Sequence, residues 1–284
     1  MLIPQLQHDA LLQDIHAARA EREGFHLWWL GQSGFLMQWQ NRHLLLDPYL
    51  SDSLTVKYAN TDLPHVRMTE LAVDPARLDF IDVVTSSHNH TDHLDAETLI
   101  PLLHANANLK LVIPEANRAF VAERLKIAAS FPAGLNDGES LSVAGFNITA
   151  VPAAHETIAR DSAGRCTHLG YVIQFGKWCV YHSGDTVWDE DLVRQLQPFA
   201  IDVALLPING RKPIPKIVGN LNTKEAAQLG KRINAKLVLP CHYDMFTFNT
   251  ADPNEFAREA EAIEQRHRVL QCGERWSSGR WVPN

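Results

Sequence analysis

Nowhere in the 284 residues do apolar side chains run on for the ~18 positions that a membrane-spanning helix requires. The opening stretch, MLIPQLQHDALLQDIHAARAERE, is too broken by polar side chains to act as a secretory signal, which needs a compact apolar run. Nothing else reads as a targeting segment, so a cytoplasmic location is the expectation. Cysteine is scarce: Cys166, Cys179, Cys241 and Cys272 are far apart and form no CxxC pair, which reads as reduced thiols packed as small hydrophobes. Clustered Lys and Arg are missing too, and the formal net charge of -7 argues against a nucleic-acid surface. A small anionic substrate held by a few local cations is still compatible with that charge. There is no tandem repeat, no low-complexity tract and no linker that would separate two independent domains.

Histidine, by contrast, is abundant at 14. The stretch SSHNHTDHLD (86–95) holds three of them with two aspartates between His88 and Asp95. Such side chains cost free energy to bury unless something pairs with them, so their purpose is the central question of the sequence.

The 45% hydrophobic and 21% charged shares are ordinary for a globular protein. Residues 4–23 read as an amphipathic helix, with Leu6, Leu11, Leu12, Ile15 and Ala18 recurring near the 3.6 period. Short β-type runs follow at 25–31, 34–39 and 43–47, then a polar, irregular region over 51–78. FIDVVTSS (80–87) is an apolar strand running into the histidine cluster, and Asp95 is expected to cap a helix through AETLIPLLH. Further strands are expected at 109–114, 146–153, 168–175, 178–183, 201–207 and 235–240, with helices at 115–127, 187–197, 223–233 and 253–267. Two successive sets of strands and helices predict a four-layer αββα sandwich, an α/β fold of one domain over 25–284. The helix within residues 1–24 would pack on that domain or on a partner subunit. Its mixed charges, Asp9, Asp14, Glu21 and Glu23 beside Arg19 and Arg22, argue against membrane attachment.

The spacing His88-x-His90-x-Asp92-His93 suits a metal site. Residues two apart at a strand end project to one side, so His88 and His90 can share one ligand point. A turn into a helix then carries Asp92 and His93 toward a second point, as two ions roughly 3.5–4 Å apart require. Other strand ends supply the remaining candidates: His155 after FNITAVPAA, Asp185 after WCVYHSG, and His242 after AKLVLPC. Imidazole and carboxylate together suit Zn, Mn, Fe or Ni. Taken singly, Asp185 could equally be a turn aspartate, and His155 or His242 an ordinary hydrogen-bonded histidine. Together with HxHxDH they point to one or two divalent ions.

This pattern resembles the metallo-β-lactamase fold superfamily over nearly the whole chain. The resemblance implies that His88, His90 and His155 hold one ion, that Asp92, His93 and His242 hold a second, and that Asp185 bridges them. WWLGQSG (28–34), YHSGD (181–185), IDVAL (201–205), NAKLVLPCHYD (234–244) and ADPNEF (251–256) are similar to the L-ascorbate-6-phosphate lactonase branch. Members of that branch assemble into oligomers, which implies a homo-oligomer here. The implied activity is hydrolysis: an ion lowers the pKa of bound water from 15.7 to about 7, and the hydroxide attacks a lactone carbonyl. Asp92 and Asp185 are the expected catalytic carboxylates, Asp92 acting as ligand, proton shuttle or both. A metal-dependent phosphodiesterase, of phospholipase or other type, is the alternative on the same ligands.

Ligand histidines need a partner for their other N–H. Asp47, ending LLLD, is the candidate, although a turn aspartate before Pro48 would look the same. For a phosphorylated small-molecule substrate, the loop 209–223 offers Arg211, Lys212 and Lys216, led by Arg211 for its bidentate reach. The glycines of that loop do not match GxxxxGK, so no nucleotide fold is implied.

Overall fold

A computed structural model describes residues 1–211 and 219–280. In chain order the first half contains α1 (His8–Ala18), β1 (His26–Trp29), β2 (Phe35–Trp39), β3 (Arg42–Leu46), α2 (Ser53–Tyr58), β4 (Val83–Thr85), α3 (Ala96–Ala105), β5 (Lys110–Pro114), α4 (Arg118–Leu125) and β6 (Ala133–Leu135). The second half contains β7 (Ser140–Val143), β8 (Phe146–Pro152), β9 (Leu169–Phe175), β10 (Trp178–His182), α5 (Glu190–Leu196), β11 (Val203–Pro207), α6 (Thr223–Arg232), β12 (Leu237–Cys241), α7 (Pro253–Ala262) and β13 (Arg275–Ser277).

The strands form two mixed sheets, β13-β1-β2-β3-β4-β5-β6 and β12-β11-β10-β9-β8-β7. Apart from the edge pair β13–β1, antiparallel neighbours are consecutive in the chain, and the parallel neighbours are joined through helices, as crossover connections require. The parallel strands β11 (VALLP) and β12 (LVLPC) are buried along their whole length, which explains their unbroken apolar runs. Aromatic contacts join the sheets face to face: Phe25 and Trp39 meet Phe175, with ring centroids 5.1 and 5.5 Å apart. α6 packs on β11 and β12 and on α7. Its start is fixed by a capping box in which Asn222 and Glu225 satisfy each other's backbone amides. On the other side Asp14 of α1 accepts from Trp28 Nε1 of β1 at 2.8 Å, and Leu11, Ile15 and Ala18 enter the same core as the sheets. The layers are therefore helix, sheet, sheet, helix. Among the described residues, no helix is long and apolar enough to cross a membrane.

Three expectations need correction. The first helix covers His8–Ala18, not 4–23. The preceding amides are spent on distant carbonyls, Leu2 N on Met68 O and Gln5 N on Cys272 O, so the chain there runs as an extended strap. The polar region 51–78 contains the short helix α2. Asp95, the residue before α3, does not cap that helix with its side chain. Its carboxylate instead accepts from the hydroxyls of Ser51, Ser53 and Thr98, tying the start of α2 to the histidine loop.

His43 on β3 illustrates the cost of a buried imidazole. Its ring lies 4.8 Å from Phe80, its Nε2 has no partner, and burial, aided by Arg19, lowers its pKa to about 4. The unfolded chain, with an ordinary histidine near 6.5, takes up that proton first as the pH falls. Stability is therefore expected to fall as the pH drops from 6.5 towards 4, with His43 contributing at most about 3 kcal/mol of the loss. Urea unfolding of the native protein and of His43→Leu at pH 7 and pH 4.5 checks this. The variant should lose less between the two pH values.

Candidate metal centre

β1, β3 and β4 of the first sheet run in one direction, as do β8, β10, β11 and β12 of the second. Their C-terminal ends meet at one rim, the place where α/β sheets gather ligands. Every ligand candidate follows one of these ends. The loop after β4 carries His88, His90, Asp92 and His93; the segment after β8 carries His155. Asp185 follows β10, and His242 is the first residue after β12. Gly184, at φ +58, makes the turn that aims Asp185 inward. A Cβ there would stand 2.6 Å from Ser87, so no larger residue fits without displacing the loop.

Among the described residues, potential ligand atoms converge in three groups, each with all its atoms within 4.8 Å of one another: His88, His90, His155 and Asp185; Asp92, His93 and His242; and, behind them, Asp47, His88 and His93. Asp185 links the first two. Its Oδ1 lies 3.3 Å from His93 Nε2, and its Oδ2 lies 3.5 Å from His242 Nε2 and 3.9 Å from His155 Nε2. Asp92 Oδ2 is 3.7 Å from Nε2 of both His93 and His242.

Behind the cluster, Asp47 is completely buried and surrounded by donors. Its Oδ2 accepts from His93 Nδ1 at 2.7 Å and from the Ser87 hydroxyl. Its Oδ1 accepts from Ser87 N at 2.9 Å and Thr85 Oγ1 at 3.2 Å. With its proton given to Asp47, the Ser87 hydroxyl accepts from His88 Nδ1 at 3.0 Å. One carboxylate thus fixes the Nδ1–H faces of two histidines and turns their Nε2 atoms toward the cleft. His88 Nε2 is buried with no hydrogen-bond partner, and His93 Nε2 and Asp185 Oδ1 are buried with only each other, 3.3 Å apart. Leaving such groups unpaired costs roughly 1–3 kcal/mol each, a cost that a bound cation removes. Nitrogen and carboxylate donors with orphaned lone pairs fit divalent ions.

The electrostatics agree with that fit. Burial, aided by neighbouring imidazoles, holds His88 well below its ordinary value, and burial lowers His155 to about 4, so both stand neutral with a free lone pair. Burial pulls His93 the same way, but Asp185 and Asp92 outweigh it and hold His93 well above 6.5. Burial by itself would raise Asp185, yet His93 and His242 keep it well below the usual carboxylate range. The protein alone thus keeps both carboxylates ionised by lodging positive charge on His93, where an ion's charge would otherwise stand.

A cleft of about 270 Å³ opens over the cluster. His90, Asp92, His155, Asp185 and His242 line its floor. Its walls are aromatic: Tyr58 stacks on His65 with centroids 4.0 Å apart, and Phe248 lies 4.3 Å from His65. Among the described residues, Lys57 and Arg124 are the cations that line it. Arg211 is not among them. Its stem lies against Gly219, and it lines a neighbouring cavity with Asn209, Asn222 and Thr223. Loop basicity alone carries no direction, which is why the sequence pointed there. Lys212 and Lys216 lie outside the described residues. His168 stacks on His88 at 4.8 Å with its Nδ1 held by Thr167 Oγ1, packing beside the ligand sets. Sequence reasoning also passed over Gln32, whose side chain enters the cleft between Asp92 and His242.

The chain matches the β-lactamase superfamily domain over residues 26–242. A UPF0173 metal-dependent hydrolase of Methanoregula boonei is 31% identical over 240 residues, covering 83% of this chain and 90% of the relative. Another, of Methanosarcina mazei, is 28% identical over 253 residues, covering 87% and 95%. Among solved structures, the metallo-β-lactamase fold protein YhfI from Bacillus subtilis superposes with a TM-score of 0.63 at 19% identity, covering 90% of this chain and all of that one.

Proposed function

The chain belongs to the β-lactamase superfamily and is a metal-dependent hydrolase, and from that premise we propose that it is a lactonase opening a small anionic sugar lactone such as L-ascorbate 6-phosphate. The observation that carries this reading is the cleft's division of labour, with carboxylates and imidazoles on its floor and Lys57 and Arg124 in its walls. Its volume is close to that of a small-molecule site.

His88, His90 and His155 would hold one divalent ion, Mn or Zn in the first instance. Asp92, His93 and His242 would hold a second, and Asp185 would serve both. Bound there, the ions supply Lewis acidity and an ionised water at neutral pH. Asp92 faces the cleft, and His93 and His242 outweigh its burial and keep it anionic. It is placed to orient the attacking water and to take its proton as oxygen adds to the lactone carbonyl. When the ring C–O bond breaks, the same carboxyl returns the proton to the departing oxygen, and the product is a hydroxy acid. Arg124 is fixed by donating through Nη1 to Asn89 O at 2.8 Å and Leu94 O at 3.2 Å, and so presents a held positive charge. Lys57 places its ammonium over the Tyr58 ring, 5.1 Å from the centroid.

The test is steady-state hydrolysis of L-ascorbate 6-phosphate and its unphosphorylated lactone by Mn- or Zn-loaded protein. Lys57→Gln should raise KM for the phosphorylated substrate roughly tenfold, the worth of one charged hydrogen bond, and change kcat little. Arg211→Gln should leave both within about twofold. Turnover of a phosphodiester such as bis(p-nitrophenyl) phosphate, with no lactone opened under any metal, would overturn the lactonase reading.

A further inference from the structure

Gln32 sits in the turn between β1 and β2, inside the WWLGQSG stretch, and is 1% exposed. Its backbone is held in the left-handed region at φ +49, where a non-glycine residue is uncommon. Its carbonyl accepts from both Trp29 Nε1 and His242 N, which locks the turn against β12. Residues held in such a backbone conformation concentrate at functional sites.

The carboxamide lies between two of the ligand candidates. Its Nε2 is 2.7 Å from Asp92 Oδ2 and 3.0 Å from His242 Nε2, which are 3.7 Å from each other. In the triangle those distances define, the point midway between Asp92 and His242 lies about 2.2 Å from the amide nitrogen, close to the ~2.0–2.2 Å of a ligand bond to zinc. The NH₂ arm is what a carboxylate and an imidazole lone pair demand when no cation stands between them. The other arm, Oε1, is buried without a partner. A half-turn about Cγ–Cδ exchanges the two arms and offers a carbonyl oxygen at the same place.

We propose that Gln32 is a further ligand of the ion at Asp92, His93 and His242, giving its Oε1 when the ion is bound and standing in for the cation with its NH₂ when it is not. This rests on the reading that those three residues hold an ion. The amide then holds Asp92 and His242 at ligand spacing, so the set is ready for the metal before it arrives.

The experiment is calorimetric titration of chelator-stripped protein with Mn²⁺, with bound metal counted by elemental analysis. The native protein should take up two ions. Gln32→Leu, similar in size but without a ligand, should weaken the second ion roughly 10- to 100-fold and leave the first unchanged. Gln32→Glu, which keeps an oxygen in place and adds charge, should bind the second ion at least as tightly as the native chain. Circular dichroism of the stripped variants controls for folding, and the glutamate variant carries the test alone if the leucine variant does not fold. Two ions bound with native affinity by Gln32→Leu, or a weakened second ion in Gln32→Glu, would overturn the proposal. A native protein that saturates at one ion would overturn the two-ion reading together with it.

Discussion

Asp185→Asn is expected to abolish hydrolysis while the chain still folds. The carboxylate is buried, at 4% exposure, and stands within 4 Å of His93, His155 and His242 together. Asparagine keeps the shape and can still place its oxygen near one ligand set, but it removes the negative charge shared by both. It also places an NH₂ where an acceptor is wanted. Since fixed charge around a reacting centre is worth on the order of 10²–10³ in kcat for a single group, a loss of at least about 10³-fold is expected from a residue serving two ions. Elemental analysis should show at least one ion lost, and circular dichroism should be unchanged, because the Gly184 turn and the strand before it are kept. Global unfolding of Asp185→Asn would point to a structural metal instead.

Asp47 is expected to have the next largest effect, although no substrate would touch it. Its two oxygens accept from His93, the Ser87 hydroxyl and amide, and Thr85. Removing one partner from a buried charged network costs about 3–5 kcal/mol, and losing the carboxylate behind a ligand histidine weakens metal binding roughly 10- to 100-fold. Backbone geometry separates two variants. Asp47 holds φ +38, a region asparagine tolerates far better than alanine. Asp47→Asn should therefore keep more stability than Asp47→Ala, by about 1 kcal/mol, while both lose metal affinity. Calorimetric titration with Mn²⁺ and urea unfolding measure the two effects separately. Native metal affinity in Asp47→Asn would show that the charge of this carboxylate does not tune the ligands.

Much of this architecture was legible because it is written locally. The parallel strands announce themselves as apolar runs, since both their faces are covered, and HxHxDH is readable because its spacing alone fixes which side chains share a direction. His155, Asp185 and His242 were legible at one remove, as polar residues following such runs. What escaped depends on pairing across the chain. β13 exists because Arg275–Ser277 lies against β1, some 250 positions earlier, and its three residues carry no pattern of their own. The cleft wall was hidden for the same reason. Lys57, Tyr58 and His65 stand in a polar, irregular stretch, and long-range contacts such as the bridge from Arg67 to Phe246 carry that stretch over the candidate metal ligands. Gln32 gave no signal, because a neutral amide in a glycine-flanked turn looks like any turn residue until its neighbours in space are known.

The central claim is that the histidine and aspartate cluster performs metal-dependent hydrolysis, and one measurement addresses it most directly. Protein stripped with a chelator is titrated with Mn²⁺ or Zn²⁺ while ring opening of L-ascorbate 6-phosphate is followed in the same sample, with circular dichroism recorded at each step. The account predicts a folded, inactive protein that gains turnover in step with the ions it binds and reaches its full rate at two per chain. A stripped protein that keeps its full rate, or that takes up both ions with no hydrolysis of any lactone or phosphodiester, would contradict it.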